Sequence, residues 1–222
     1  MFMEKYSRII MFPQEGKERM DNTQDNTLPP FPGIVRSIDE IRDHIGEPHP
    51  AVQNKVINQI DEHAQAFIAK SPLFFLSTSG ANGLCDVSPR GDSPGFVRVL
   101  DNHRLIYPER LGNRRIDSMQ NIVNNPQVGL LFIIPGVDMV LRVNGRAWLT
   151  RDEELLGTMQ LNGKSPIAAV GVEVQECFVH CSRALKLSKI WDTATWVPEQ
   201  EQPDGMDMFR AHLALNNIAL EE

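Results

Sequence analysis

Beyond Pro72 the hydrophobic pattern changes period, and that change limits the fold more than any other feature of the chain. Before the proline, apolar residues recur at helical spacing; after it they come in short runs closed by turn residues. Leu73 to Thr78 reads as a strand, Gly80-Ala81-Asn82-Gly83 as a tight turn, and Leu84 to Ser88 as the returning strand. Gly95 to Leu100 and Arg104 to Pro108 form a second pair around Asp101-Asn102-His103. Gln127 to Ile134 and Met139 to Leu149 form a third around Pro135-Gly136, and Ile167 to Cys181 is a long last strand. Six or seven mostly antiparallel strands at hairpin spacing, with helices before, between and after them, predict a small barrel rather than a parallel sheet. No G-x-G-x-x-G follows a strand and no G-x-x-x-x-G-K-[ST] is present, so neither a Rossmann nor a P-loop nucleotide site has support.

The helical segments have their own signals. Ser37, with Glu40 three places on, forms a capping box ahead of Ile38, Ile41 and Ile45, and Gly46 ends that helix. Val52, Val56, Ile57, Ile60, Ala64 and Phe67 repeat the helical period and predict a second helix that stops before Pro72. Asp117 to Val123 reads as a helix ended by Asn124-Asn125-Pro126. Arg151-Asp152-Glu153-Glu154 opens another through Met159, Ala184 to Trp191 a further one, and Met208 to Leu215 the last. Residues 13 to 33, broken by Pro13, Pro29, Pro30 and Pro32, predict a tail or extended arm. The expected organisation is an arm over 1–33, a barrel domain over 34–191 and a tail over 192–222.

Charge singles out the strand region. Ser71 to Arg151 holds nine Arg, no Lys and six Asp plus Glu, a net of +3 in a chain of net −7, so the remainder sums to −10. Arginine grips phosphate oxygens through paired hydrogen bonds that an ammonium cannot imitate. The concentration in Val87-Ser88-Pro89-Arg90-Gly91-Asp92 and in Glu109-Arg110-Leu111-Gly112-Asn113-Arg114-Arg115-Ile116-Asp117-Ser118 therefore points to a phosphorylated small ligand, the alternative being surface ion pairs. A pI near 5.4 argues against a general nucleic-acid binder. The three cysteines Cys85, Cys177 and Cys181 cannot all pair within one chain, and no apolar leader or membrane-length apolar run occurs; a soluble cytoplasmic protein is expected. Cys177-Phe178-Val179-His180-Cys181 does not make a metal site, because period two sends the cysteines to one face and His180 to the other.

The order Leu73-Phe74-Phe75-Leu76-Ser77-Thr78, Asp86-Val87-Ser88-Pro89-Arg90-Gly91, Phe96-Val97-Arg98-Val99, Leu105-Ile106-Tyr107-Pro108-Glu109-Arg110 and Asn125-Pro126-Gln127-Val128-Gly129-Leu130-Leu131-Phe132 resembles the pyridoxamine 5'-phosphate oxidase-like flavoproteins, in particular their oxidase-related FMN-binding branch. The likeness spans residues 50 to 191. It implies a mainly β fold with flanking helices, a split β-barrel of the FMN-binding type, and a homodimer with FMN at the subunit interface. It also implies that Val97, Arg98 and Val99, with Tyr107, Pro108 and Arg110, line the flavin, and that Asn113, Arg114, Arg115 and Ser118 form the phosphate-binding helix start. A helix amino terminus offers free N–H groups to an anion, which suits that assignment. The family's oxidases usually place a lysine in this turn where this chain has arginines, so which arginine meets the phosphate stays open.

Arg90 or Arg98 would stabilise charge on a reduced flavin, or else pair with Asp86, Asp92 or Asp117. Ser88 would bond the ring or cap its own turn, and Gly91 and Gly95 read as turn formers. Trp191 would approach the flavin from the neighbouring subunit or anchor the last helix to the barrel. The function implied is an FMN-dependent oxidoreductase passing a hydride from a small-molecule donor through flavin N5, with its substrate open. The alternatives are a non-catalytic flavin- or haem-binding protein on the same fold and a pyridoxal phosphate or nucleotide carrier.

Overall fold

The computed structural model describes residues 9–11 and 31–220. Most of the proline-broken arm expected over 13 to 33 lies outside the described residues. In chain order the elements are β1 (Ile9–Met11), α1 (Ile38–Ile45), α2 (Pro50–Gln53), α3 (Glu62–Lys70), β2 (Leu73–Ser79), β3 (Cys85–Gly91), β4 (Arg98–Asp101), β5 (Arg104–Glu109) and α4 (Asp117–Asn124). There follow β6 (Gln127–Ile133), β7 (Val140–Thr150), α5 (Glu153–Gly157), β8 (Ala168–His180), α6 (Arg183–Ser188), α7 (Gly205–Leu215) and β9 (Ile218–Leu220). The chain divides into two compact units, one running from His49 to Trp196 and the other drawing on residues up to Pro48 and from Val197 onward.

The His49–Trp196 unit is an antiparallel sheet in the order β3-β2-β6-β7-β8-β5-β4. Its end strands β3 and β4 do not pair with each other, so the sheet curls without closing and forms a split barrel. The period-two reading holds where it was clearest. Along β2, Phe74, Leu76 and Thr78 are buried, and β6 buries Val128, Leu130 and Phe132 in register with them. Phe74 centres the interior, with its ring centroid 4.9 Å from Tyr107, 5.2 Å from Phe132 and 5.8 Å from Phe96. Helix α3 closes the barrel with Ala64 and Ile68, and α4 adds Ile122. At Gly145 a bulge lets β7 cross β8 closely: a Cβ there would lie 2.1 Å from the Glu173 carbonyl oxygen, so glycine is required by the crossing itself.

Four expectations need correction. The helix read through Val52–Phe67 is two helices separated by an extended stretch. Ile57 exchanges backbone hydrogen bonds with Cys177, the Ile60 N–H donates to the Asn102 carbonyl, and the Asp61 carboxylate caps a new helix start at the Ala64 N–H. Ser88-Pro89-Arg90-Gly91 is part of β3 rather than a loop, and Gly91 is a strand residue rather than a turn former. Pro89 is tolerated because β3 ends the sheet, where a missing N–H leaves no ladder partner unsatisfied. The fourth strand begins at Arg98, with Gly95 in the preceding loop at φ 88°. Helix α6 stops at Ser188, before Trp191, because Lys189 turns into the left-handed region at φ 49°.

The second unit holds α1 and α7. Ser37 accepts from the Glu40 N–H at 3.1 Å while the Glu40 carboxylate accepts from the Arg36 N–H at 3.1 Å, the reciprocal cap that the sequence announced. Helix α7 starts at Gly205, three residues before the sequence signal, because Asp204 caps the Met206 and Asp207 N–H groups. β1 and β9 pair antiparallel, Ile10 opposite Ala219.

Candidate functional site

The polar residues of β3 fall on one face because a strand alternates. Asp86, Ser88 and Arg90 are partly buried and share the same side, while Cys85, Val87, Pro89 and Gly91 are exposed on the other. That inward row meets two different partners.

At one end stands the start of α4. Ser118, 4% exposed, donates from Oγ to Asp86 Oδ2 at 2.8 Å; its single hydrogen is thereby committed, so Ser88 donates to Ser118 Oγ at 3.1 Å. The helix begins at Asp117, as its period predicted, so Asn113, Arg114 and Arg115 precede it rather than forming its first turn. Asn113 instead shapes the approach by accepting from the Arg115 N–H at 2.9 Å, and Arg114 sits in the left-handed region at φ 64°. Arg115 Nε donates to Asp117 Oδ2 at 2.8 Å, with both groups largely exposed. No hydrogen bond or ion pair engages the Arg114 side chain among the described contacts. Ile116 occupies the N-cap and makes no side-chain cap, so the first-turn N–H groups of α4 keep the open donors that every helix start carries.

At the other end Arg90 reaches across the split. Its Nη1 lies 2.8 Å from Glu109 Oε1 on β5, a strand five places away in the sheet order. Next to it, Arg110 Nε lies 2.7 Å from Asp92 Oδ2, just beyond β3. These two ion pairs, not backbone bonds, hold the margins of the split together. Glu109 is 6% exposed, and burial raises its pKa above the usual carboxylate value while the Arg90 charge works in the opposite direction. Two buried polar atoms here have no partner, Arg90 Nε and the Tyr107 hydroxyl. Burial is also the main reason the Tyr107 pKa is raised, followed by the charge of Glu109.

Arg98 and Arg110 also grip the end of α5. Arg98 Nη1 donates to Thr158 Oγ1 at 2.8 Å and its Nη2 to the Thr158 carbonyl, while Arg110 Nη1 donates to the Met159 carbonyl at 3.3 Å. Guanidinium groups are well placed at a helix carboxyl end, where carbonyls lack partners and the dipole is negative. Of the wall residues expected to line the flavin, Val97, Tyr107 and Pro108 are buried and Val99 is partly so. Trp191 is partly buried, and its Nε1 donates to the Val137 carbonyl at 3.2 Å.

The structure therefore gathers Ser88, Arg115 and Ser118 with Asp86 and Asp117 in one cluster. Arg90 and Arg110 join Glu109 and Asp92 in a second, Arg98 leans on Thr158, and Trp191 stands apart at the β6–β7 turn. Arg90 and Arg98 pair with Glu109 and Thr158 rather than with Asp86, Asp92 or Asp117 as expected; neither Glu109 nor Thr158 was picked out by the sequence, although Glu109 is an acid closing the apolar run Leu105-Ile106-Tyr107-Pro108, a signal open to use. In the last strand Cys177 is buried and its thiol is pushed up to about 11 by burial, whereas Cys181 is exposed just past the strand end; the two do not share a face as expected. No helix among the described residues is long and apolar enough to cross a membrane. A broad concavity of about 720 Å³ lies on the outer side of the sheet, where Phe75, Val87, Leu131, Arg142 and Glu176 meet.

A sequence model of pyridoxamine 5'-phosphate oxidase matches residues 60–181, more than half of the chain. No curated protein matches. Among solved structures, HupZ from Group A Streptococcus is similar with a TM-score of 0.44 at 22% identity, over 54% of this chain and 93% of that one. A candidate pyridoxamine 5'-phosphate oxidase from Lactobacillus delbrueckii gives 0.43 at 25%, over 55% and 95%. An FMN-binding protein from Syntrophomonas wolfei gives 0.43 at 14%, over 54% and 85%. The family match over residues 60–181 covers all seven strands of the split barrel and both arginine clusters, and on it the chain belongs to the pyridoxamine 5'-phosphate oxidase family.

Proposed function

We propose that this chain binds FMN and acts as an FMN-dependent oxidoreductase, as a homodimer in which two copies share the cofactor cleft. The reading rests on family membership and on one observation, the uncapped start of α4 beside an unengaged Arg114. When bound, FMN supplies hydride transfer at its N5 atom. The residues present fit such a group at its phosphate end. Open first-turn N–H groups and two guanidiniums form an anion cradle, and Arg115 can turn from Asp117 to a stronger acceptor because their pair is exposed and cheap to break.

The remaining residues orient and shield. Asp86 fixes Ser118, and Ser118 fixes Ser88, so the wall beside the cradle is rigid before any ligand arrives. Pro108 lines the split beside Phe96, and Val97, Val99 and Tyr107 back that wall from the barrel core. Arg98, held by neutral acceptors of Thr158, keeps an uncompensated positive charge that favours electron-rich ligands. The exposed Phe75 and Val87 flank the outer concavity and offer apolar area for a second copy, two-fold pairing being the commonest assembly.

Purified protein is expected to be yellow, with an absorption band at about 450 nm that dithionite bleaches. Colourless protein that takes up no added FMN contradicts the proposal. Steady-state oxidation of a nicotinamide or deazaflavin donor faster than free FMN achieves would separate turnover from binding alone.

A further inference from the structure

The margins of the split enclose two adjoining cavities, neither of which includes the residues of the phosphate cradle at the start of α4. One, of about 160 Å³, is lined by Arg90, Glu109, Arg110 and Asp92 with Pro89 and Phe96. The other, of about 190 Å³, shares Asp92, Phe96, Pro108 and Arg110 with it and extends to Arg98 and Leu161. The charged lining is thus three guanidiniums against two carboxylates. Both carboxylates are already paired, Glu109 with Arg90 and Asp92 with Arg110, and Arg98 is held by uncharged acceptors. One positive charge is left over.

The donors point the same way. Arg90 uses Nη1 on Glu109, and its Nε, although buried, has no acceptor. The edge of a guanidinium formed by Nε and Nη2 is the fork that takes the two oxygens of a carboxylate side by side. Unpaired buried donors are uncommon, and the partner they call for is an acceptor. Around them Pro89, Pro94, Phe96, Pro108 and Leu161 provide apolar and aromatic wall.

We infer that the cavities between β3 and β5 bind a small monocarboxylate with a compact apolar body, its carboxylate on the free edge of Arg90 and its body against Phe96 and the prolines. The inference stands on the residues of the split and does not need the cofactor.

Calorimetric titration of the full chain, without added FMN, with benzoate and separately with its neutral counterpart benzamide tests it. Benzoate should bind saturably and at least about ten-fold more tightly than benzamide, and Arg90→Lys, which keeps the charge but loses the fork, should weaken benzoate by about ten-fold or more. Should that variant fail to fold, Arg98→Gln removes the surplus charge from an exposed position and must bring benzoate down toward benzamide. Equal binding of the two probes, or no binding of benzoate to the unaltered chain, overturns the inference. Failure of FMN to bind in a parallel titration would leave it standing.

Discussion

Alanine at both Arg114 and Arg115 lowers FMN affinity by about two to four orders of magnitude, while the thermal unfolding midpoint barely moves. Each charge-assisted hydrogen bond to a phosphate is worth about 1.5–3 kcal/mol, and two of them removed together give that range at about 1.4 kcal/mol per factor of ten. The fold is spared because neither side chain is in the core: Arg114 has no partner, and Arg115 contributes only an exposed pair with Asp117. Fluorescence titration of apoprotein with FMN measures the first quantity and calorimetry the second. A variant that binds FMN as the unaltered chain does would remove the phosphate from this turn. A variant that unfolds would mean that the turn is structural.

Arg90→Ala has the opposite profile, destabilising the protein by about 3 kcal/mol at neutral pH. The reason is the carboxylate left behind. Glu109 is 6% exposed and Arg90 Nη1 is its ion-pair partner, so truncation strands a buried charge between two strands that share no backbone bonds. The pH dependence carries the proof. Glu109 already has a folded-state pKa above its unfolded value, so it contributes stability that is fully present below the unfolded value and is lost as pH rises through the folded one. Removing Arg90 takes away the influence that lowers this pKa, so the gap widens and the loss on the alkaline side deepens. The deficit of the variant should therefore shrink as pH falls below the unfolded carboxylate value of about 4.3, where Glu109 becomes neutral in both states. Denaturant unfolding at several pH values reads it, and a deficit independent of pH would mean that Arg90 acts through packing alone.

How much of this was legible in the sequence depends on whether the deciding partner is near or far along the chain. The strands β2, β6 and β7 were readable because alternation is local and each faces one continuous core. The capping box of α1 was readable for the same reason. The break between α2 and α3 was not, because Ile57 and Ile60 satisfy a helical period equally well; what extends that segment is Cys177 and Asn102, distant in sequence. Proline and glycine made Ser88-Pro89-Arg90-Gly91 look like a loop, and only the edge position of β3 excuses them within a strand.

The candidate site follows the same division. Its arginines were visible as a composition, but their partners were not. That Arg90 meets Glu109, Arg110 meets Asp92, and Arg98 holds Thr158 depends on how the open sheet curls and where α5 ends, which no local pattern records. The start of α4 at Asp117 was legible from its period, whereas the role of Asn113 was not, because its side chain bonds the Arg115 N–H inside the preceding turn.

The central claim is that this turn holds the phosphate of a flavin mononucleotide, and a paired titration of apoprotein with FMN and with riboflavin tests it most directly. The two ligands differ only in the phosphate. The account predicts that FMN binds about a hundred-fold or more tightly than riboflavin, and that the gap narrows as salt rises and largely disappears when Arg114 and Arg115 are alanine. Equal affinity for the two flavins would contradict it.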